Sequence, residues 1–346
     1  MDEFPELQKK SGSALVLSGG ATKAFYFHLG VLKVLQPEDI SAIVGSSAGA
    51  VVGGFIASGA TVDNLIMALY QKQVYLPKFD RWVKTLSSTM LFRPKYRGIG
   101  WQSLHTGLAG LHFLAGLPRL NNHDVVAEAL DMLVHSQTKV SGFLDSSALE
   151  NLFRTLLPSR DFNNTEIDLY VVATCLDNGH RAVFNGLYEF EKDDDTFMTD
   201  VPIHRAVRAS ASVPGMFEPV KIKGKHYIDG EVKRTLSADI GVSVSDKVII
   251  SHTYQPLQLN GHGSVSEMGW VNVLKQSLSI VLYERIARWR QIYEERYPGK
   301  EIIWIHPDPE DIDFFLAPEF SFRPEVQKKM IKCGEIAALK ALSGSS

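Results

Sequence analysis

Five small residues, Gly45-Ser46-Ser47-Ala48-Gly49, separate the apolar run Ile40 to Val44 from a second apolar stretch that continues to Ala60. A run of four or five apolar residues reads as a buried strand, and small and apolar residues over about three turns suit a closely packed helix. The chain must therefore reverse sharply between strand and helix at this point. In Gly45-x-Ser47-x-Gly49 only Ser47 has glycine two positions away on both sides, the spacing of a nucleophile elbow, where any larger neighbour would collide with the turn. Ser46 lacks that flanking and is the weaker candidate. The uncharged stretch from Ile40 to Val62 is long enough for a bilayer, but its glycines, serines and threonines argue for a tightly packed core instead.

The same strand, turn and helix order occurs earlier. Ala14 to Leu17 leads into Ser18-Gly19-Gly20, after which Phe25, Leu29, Leu32 and Leu35 recur at helical spacing. Backbone N–H groups at a glycine turn opening a helix carry the positive end of the helix dipole, so Gly19, Gly20 and Ala21 are candidate donors to an oxyanion. A dinucleotide fingerprint is not matched, because Ala21, Thr22, Lys23 and Ala24 follow the glycine pair. Further strands are expected at Ile167 to Leu176 and Arg181 to Phe184 around Asn178-Gly179, in a hairpin around Gly224, and at Lys247 to Ser251 and Glu301 to His306. A long helical pattern spans Ser266 to Tyr297. Strands alternating with helices predict a mostly parallel sheet covered on both faces, and Ser147 with Glu150 reads as a capping box.

The 346 residues carry a formal charge of −3, which gives no global attraction to nucleic acid or anionic membrane. The charge is segregated, however. Between Lys72 and Leu120 eight basic residues (Lys72, Lys78, Arg81, Lys84, Arg93, Lys95, Arg97, Arg119) stand against the single acid Asp80, interleaved with Tyr75, Phe79, Trp82, Phe92, Tyr96 and Trp101. That composition suits a lid lying against lipid headgroups, or equally a surface subdomain with snorkelling cations; RNA contact is a weaker reading. Cys175 and Cys333 are far apart and outside any metal-ligand spacing, which predicts two reduced structural thiols. Met1 to Ser13 lacks the basic start and apolar centre of a signal peptide.

A serine hydroxyl needs a base to become a nucleophile. Among eleven histidines, His28 falls inside the first helix and His252 follows the strand ending at Ile250, where a hydrolase triad would want it. Asp229, in Tyr227-Ile228-Asp229-Gly230, ends a hairpin strand; alone it reads as an ordinary Asp-Gly turn.

Taken together these residues resemble the patatin-like phospholipases over Ala14 to about Ile250. The matching blocks are the loop from Leu15 to Ala24 running on to Gly30-Val31-Leu32, the elbow Gly45 to Gly49, the segment Arg208 to Val220, and Asp229-Gly230. The resemblance implies a three-layer α/β/α fold with a mostly parallel central sheet, in one catalytic domain from 13 to 340. Residues 1 to 12 would form a flexible tail, 72 to 145 a basic and aromatic insertion or lid, and 311 to 340 a C-terminal helical extension. It implies a dyad of Ser47 and Asp229, an oxyanion hole at Gly19, Gly20 and Ala21, elbow glycines Gly45 and Gly49, and supporting roles for Lys23 and Gly230. The implied reaction is hydrolysis of fatty acyl esters of phospholipids, lysophospholipids or acylglycerols through an acyl-enzyme, with no metal or cofactor. The implied partners are a lipid ester and a membrane surface touched peripherally, in a cytoplasmic protein with no nucleic-acid ligand. A transacylase, a Ser-Asp-His hydrolase using His252, and a non-catalytic lipid binder are the alternatives. The chain departs from the family pattern at Ala21, Ala24 and Glu231, and Glu231 near Asp229 would raise its pKa if the two carboxylates were close.

Overall fold

Ser13–Leu17 (β1) is buried at every position, as a strand covered on both faces must be. The computed structural model describes residues 4–35, 39–71, 73–76, 81–84, 93–94, 142–156, 160–261 and 263–344. After β1 come α1 (Ala21–Leu35), β2 (Ile40–Ser46), α2 (Ala48–Ala57) and α3 (Val62–Tyr70), then the short strands β3 (Gln73–Leu76), β4 (Arg81–Lys84), β5 (Arg93–Pro94) and β6 (Gly142–Asp145). The chain continues through α4 (Ser147–Leu156), β7 (Asp168–Cys175), β8 (Arg181–Phe184), β9 (Phe190–Lys192), β10 (Asp195–Met198) and α5 (Ile203–Ser210). β11 (Gly215–Phe217), β12 (Val220–Ile222), β13 (Lys225–Asp229), α6 (Ala238–Val244), β14 (Lys247–Ser251), α7 (Trp270–Arg296), β15 (Glu301–Ile305), α8 (Ile312–Leu316) and α9 (Pro324–Ser343) complete it.

The main sheet runs in the order β15-β14-β1-β2-β7-β8-β10-β9, with the β12–β13 hairpin joined to β7 through β13. From β15 to β7 every neighbour is parallel, and the antiparallel pairs gather at the far edge and the hairpin. Strand side chains alternate between two cores. Leu15, Leu17, Ile43 and Ile249 face one that includes residues of α1, α2, α5 and α9; Ala14, Val16, Ala42, Val44 and Val248 face one that includes residues of α6 and α7. The fold is three-layered α/β/α with a mostly parallel central sheet, and two-sided covering is why these strands read as unbroken apolar runs.

The ends of the chain are more integral than the sequence suggests. Phe4 and Leu7, expected in a flexible tail, are buried, and Phe4 packs edge-on against Phe197 at 5.1 Å between ring centroids. The C-terminal segment is no appendage either: Met330, Ile331 and Ala338 of α9 lie in the same core as α1. The two helices touch through glycine, since a Cβ on Gly30 would fall 1.9 Å from the Ile331 carbonyl oxygen and one on Gly334 2.1 Å from that of Phe27. The helix expected to take Ser147 as its cap starts one residue earlier, at Ser147 itself, with the Glu150 N–H donating to the Ser146 carbonyl at 3.4 Å, and the Glu150 carboxylate accepts from Arg208 at 2.6 Å.

Most of the 72–145 insertion, including Lys72, Lys78, Lys95, Arg97 and Arg119, lies outside the described residues. From it the structure describes β3 paired with β4, and β5 paired with β6, which in turn joins β11. Among the described residues no single helix is long and apolar enough to cross a membrane. Cys175 and Cys333 are free thiols.

Candidate active site

β2 ends at Ser46 and α2 begins at Ala48, so Ser47 alone makes the corner, in a left-handed conformation at φ 52° and ψ −118°. Non-glycine residues seldom adopt such angles, and strain of this kind persists only where the surroundings enforce it. The neighbours do so here. A Cβ on Gly45 would lie 2.6 Å from the Gly49 carbonyl oxygen and one on Gly49 2.2 Å from that of Leu17, so both flanking positions admit glycine alone. The Ser47 N–H donates to Ser210 Oγ at 2.9 Å, and that hydroxyl donates on to the Val172 carbonyl at 2.5 Å. Ser210 thus relays a ladder bond at the point where β2 peels away from β7.

The register of β7 brings Asp229 to the same place. Parallel β2 pairs along it as far as Ser46 opposite Val172, and antiparallel β13 takes the next position with Asp229 opposite Ala173. Because β8 occupies the other edge of β7 at residue 173, β13 must continue the edge that β2 leaves. The two strands meet end to end. The Asp229 carboxylate faces Ser47, which lowers its pKa, and accepts the Glu231 N–H at 3.0 Å. Burial pushes its pKa up to about 6, against the lowering effect of those two groups. A base ionised near neutrality, facing a strained serine, is suited to take that serine's proton. Gly230 has no room for a side chain, since a Cβ would lie 2.4 Å from the Val172 carbonyl oxygen.

The three oxyanion candidates separate. Gly19 gives its N–H to Glu231 Oε1 at 2.9 Å and is committed to that bond. Gly20 (φ 124°) and Ala21 (φ 57°) turn the chain into α1 with left-handed backbones. Among the described residues the N–H groups of Gly20, Ala21 and Ala48 make no hydrogen bond to the chain, and they stand at the first turns of α1 and α2. His28 braces the loop: buried in α1, it bridges the Ser18 carbonyl (3.0 Å) and Ser251 Oγ (2.9 Å), and burial lowers its pKa to about 4. Lys23 points to the other side, pairing with Glu319 at 2.7 Å beneath a pKa that burial lowers to about 8.

Glu231 is the residue whose importance the sequence understated. It is buried, holding Gly19 through one carboxylate oxygen and the Leu236 N–H through the other at 3.2 Å. Burial, then the neighbouring Asp229 charge, raise its pKa to about 8. Ser210 and the segment around Glu319 carry no pattern of their own in the sequence, while Glu231 shows there only as a departure from the family motif beside Asp229.

Ser47 opens into an apolar pocket of about 120 Å³, walled by Phe25, Val51, Leu149, Phe217, Phe320 and Phe322. The last two come from the strap between α8 and α9, which is tied to α1 where Thr22 Oγ1 donates to the Glu319 carbonyl (3.0 Å) and Tyr26 Oη to that of Ser321 (2.9 Å).

No histidine hydrogen-bonds Ser47 or Asp229 among the described residues. His252 is instead buried beside His306, with ring centroids 5.3 Å apart, and beside Tyr283 and Trp304. Among the described residues no group of three or more His, Cys, Asp or Glu could hold a metal ion.

Residues 15–241 match the patatin family, described as patatin-like phospholipase. The chain is similar to the uncharacterized NTE family protein Rv1063c of Mycobacterium tuberculosis, 23% identical over 242 residues that cover 67% of this chain and 48% of the relative. It is also similar to the uncharacterized protein YqhO of Bacillus subtilis, 27% identical over 212 residues, 60% of this chain and 58% of that one. The chain spans about half the length of these curated relatives. Among solved structures, VipD of Legionella pneumophila aligns over 97% of this chain and 68% of its own, with 17% identity and a TM-score of 0.44. ExoU of Pseudomonas aeruginosa aligns over 97% and 54%, with 13% identity and a TM-score of 0.36. With the matched region running from β1 through the elbow and Asp229 into α6, the chain belongs to the patatin-like phospholipase family, a group of serine hydrolases.

Proposed function

We propose that the protein is a lipid acyl hydrolase that cleaves fatty acyl esters of phospholipids, lysophospholipids or acylglycerols. The observation that carries this reading is a strained serine facing a buried aspartate and opening into an apolar pocket. In the proposed reaction Asp229 takes the Ser47 proton as the hydroxyl oxygen attacks the ester carbonyl. The N–H groups of Gly20, Ala21 and Ala48 receive the oxyanion, aided by the dipoles of α1 and α2. The alcohol leaves with the proton held by Asp229; Asp229 then takes a proton from the water that attacks the acyl-enzyme and passes it to the Ser47 oxygen as the ester bond breaks and the fatty acid departs. The aromatic and aliphatic walls suit an acyl chain, and among the described residues that line the pocket none is charged. A cytoplasmic protein working peripherally at membranes fits this substrate class.

Fluorophosphonate labelling of the purified protein, with the adduct located by mass spectrometry, tests the proposal. Labelling is expected at Ser47 and is expected to vanish in Ser47→Ala and to fall at least about a hundredfold in Asp229→Asn. A folded wild-type protein that takes no label removes the hydrolase reading.

A further inference from the structure

α7 is built inside out. Over its first half, Trp270, Val271, Val273, Leu274, Leu278, Ile280 and Val281 are all exposed, with Trp270 at 77% and Leu274 at 62%. At 3.6 residues per turn these positions cover one half of the helix surface. The half-buried residues of the same stretch are Asn272, Lys275, Gln276, Ser279, Leu282 and Tyr283, mostly polar. The polar side makes the attachment: Gln276 exchanges two hydrogen bonds with Leu257 (2.8 and 3.1 Å), and Lys275 donates to the carbonyls of Phe315 and Ala317. A helix of a water-soluble surface turns the opposite face outward. The arrangement therefore presents a row of exposed apolar side chains along one side of the helix, the kind of patch that marks an interaction site.

We propose that this half of α7 seats the protein on a lipid surface, with Trp270, Leu274, Leu278 and Val281 entering the apolar edge of the bilayer. The inference rests on the proposed lipid substrate and names the partner of that same site. Two features favour lipid over a protein groove. First, from Trp270 to Val281 the exposed half circle is aliphatic apart from one tryptophan and Ser277 and carries no charge until Glu284 and Arg285 follow on the same side, whereas a helix docked in a groove shows a narrower stripe with a polar rim. Second, the attached side of the same helix is tied to the pocket wall. Lys275 also pairs with Glu319 at 3.0 Å, Glu319 pairs with Lys23 of α1, and the adjoining Phe320 and Phe322 wall the cavity. A bilayer at α7 thus meets a helix joined through Glu319 to the wall of the pocket proposed to take the acyl chain.

Flotation with phosphatidylcholine vesicles, in a Ser47→Ala background that spares the lipid, is the test. The parent protein is expected to float, and Trp270→Asp/Leu274→Asp/Leu278→Asp to lose binding about tenfold or more. Hydrolysis of a water-soluble short-chain ester by the same triple variant with Ser47 intact is expected to be unchanged, which separates a failure of this surface from a failure of the hydrolase reading. Quenching of tryptophan emission by brominated phosphatidylcholine, diminished in Trp270→Phe, reads the same contact without a disruptive substitution. Equal flotation of the triple variant, or quenching that ignores Trp270→Phe, overturns the proposal. So does a wild-type dimer that the triple variant turns into a monomer, since a second copy would then own the face.

Discussion

Ser46 and Asp229 pair with consecutive residues on one edge of β7, Val172 and Ala173, the first from a parallel strand and the second from an antiparallel one. This junction makes the site: the parallel strand stops, its next residue is the strained Ser47, and the incoming strand delivers a carboxylate where the vacated ladder position lies.

Hydrolysis is expected to rise with pH through about 6, because Asp229 must be ionised to accept the Ser47 proton and its pKa is raised to about 6 by burial. A pH profile of kcat/KM on a soluble ester checks this. Glu231, with a pKa raised to about 8, is still protonated where Asp229 titrates, so Glu231→Gln is expected to leave that limb in place.

Stability carries the opposite dependence. The folded pKa of Glu231 is about 8, above its ordinary 4.5, so its protonated form is favoured by folding. The contribution is complete below about 4.5 and is lost as the pH rises through about 8; Asp229, raised in the same sense, adds to the slope at lower pH. Thermal unfolding should therefore show Tm falling between pH 5 and pH 9, with a flatter dependence in Glu231→Gln. A wild-type Tm that climbs over this range would contradict the buried-carboxylate account.

Ser210→Ala would strip the Ser47 N–H and the Val172 carbonyl of their shared partner in a dry environment. A loss of about 1–3 kcal/mol in denaturant unfolding is expected, together with a lower kcat as the elbow loses one of its ties. An unchanged unfolding midpoint would mean that water or a backbone shift replaces the relay.

Ala21 holds a left-handed φ of 57° that glycine adopts without strain. Ala21→Gly is expected to stabilise the protein by about 1 kcal/mol, measured as a shifted denaturant midpoint at constant m. The reverse change next door should fail, because a Cβ on Gly20 would sit 2.4 Å from Thr253 Oγ1.

His252 touches rings and not the dyad. His252→Gln in a folded protein should keep kcat within about tenfold of wild type, since losing a general base costs about a hundredfold or more. A larger drop at constant Tm would restore the histidine triad.

Strand positions were legible because a sheet buried on both faces demands unbroken apolar runs, and Ile40–Val44 and Ala14–Leu17 have no other use for that pattern. The elbow was legible for a steric reason: only glycine fits at 45 and 49, and a steric exclusion writes itself into the residue type. Asp229 was a different matter, since an Asp-Gly pair looks the same in any turn, and only the register of β13 against β7 separates base from turn. The roles of Glu231 and Ser210 follow from which backbone groups happen to be unpaired 212 and 163 residues away. The face of α7 is likewise a tertiary decision, because an amphipathic pattern states that a helix has two sides and leaves open which one meets the body of the protein. Local patterns encode what each segment must avoid by itself; which groups become partners depends on long-range packing, where the spacing along the chain carries no information.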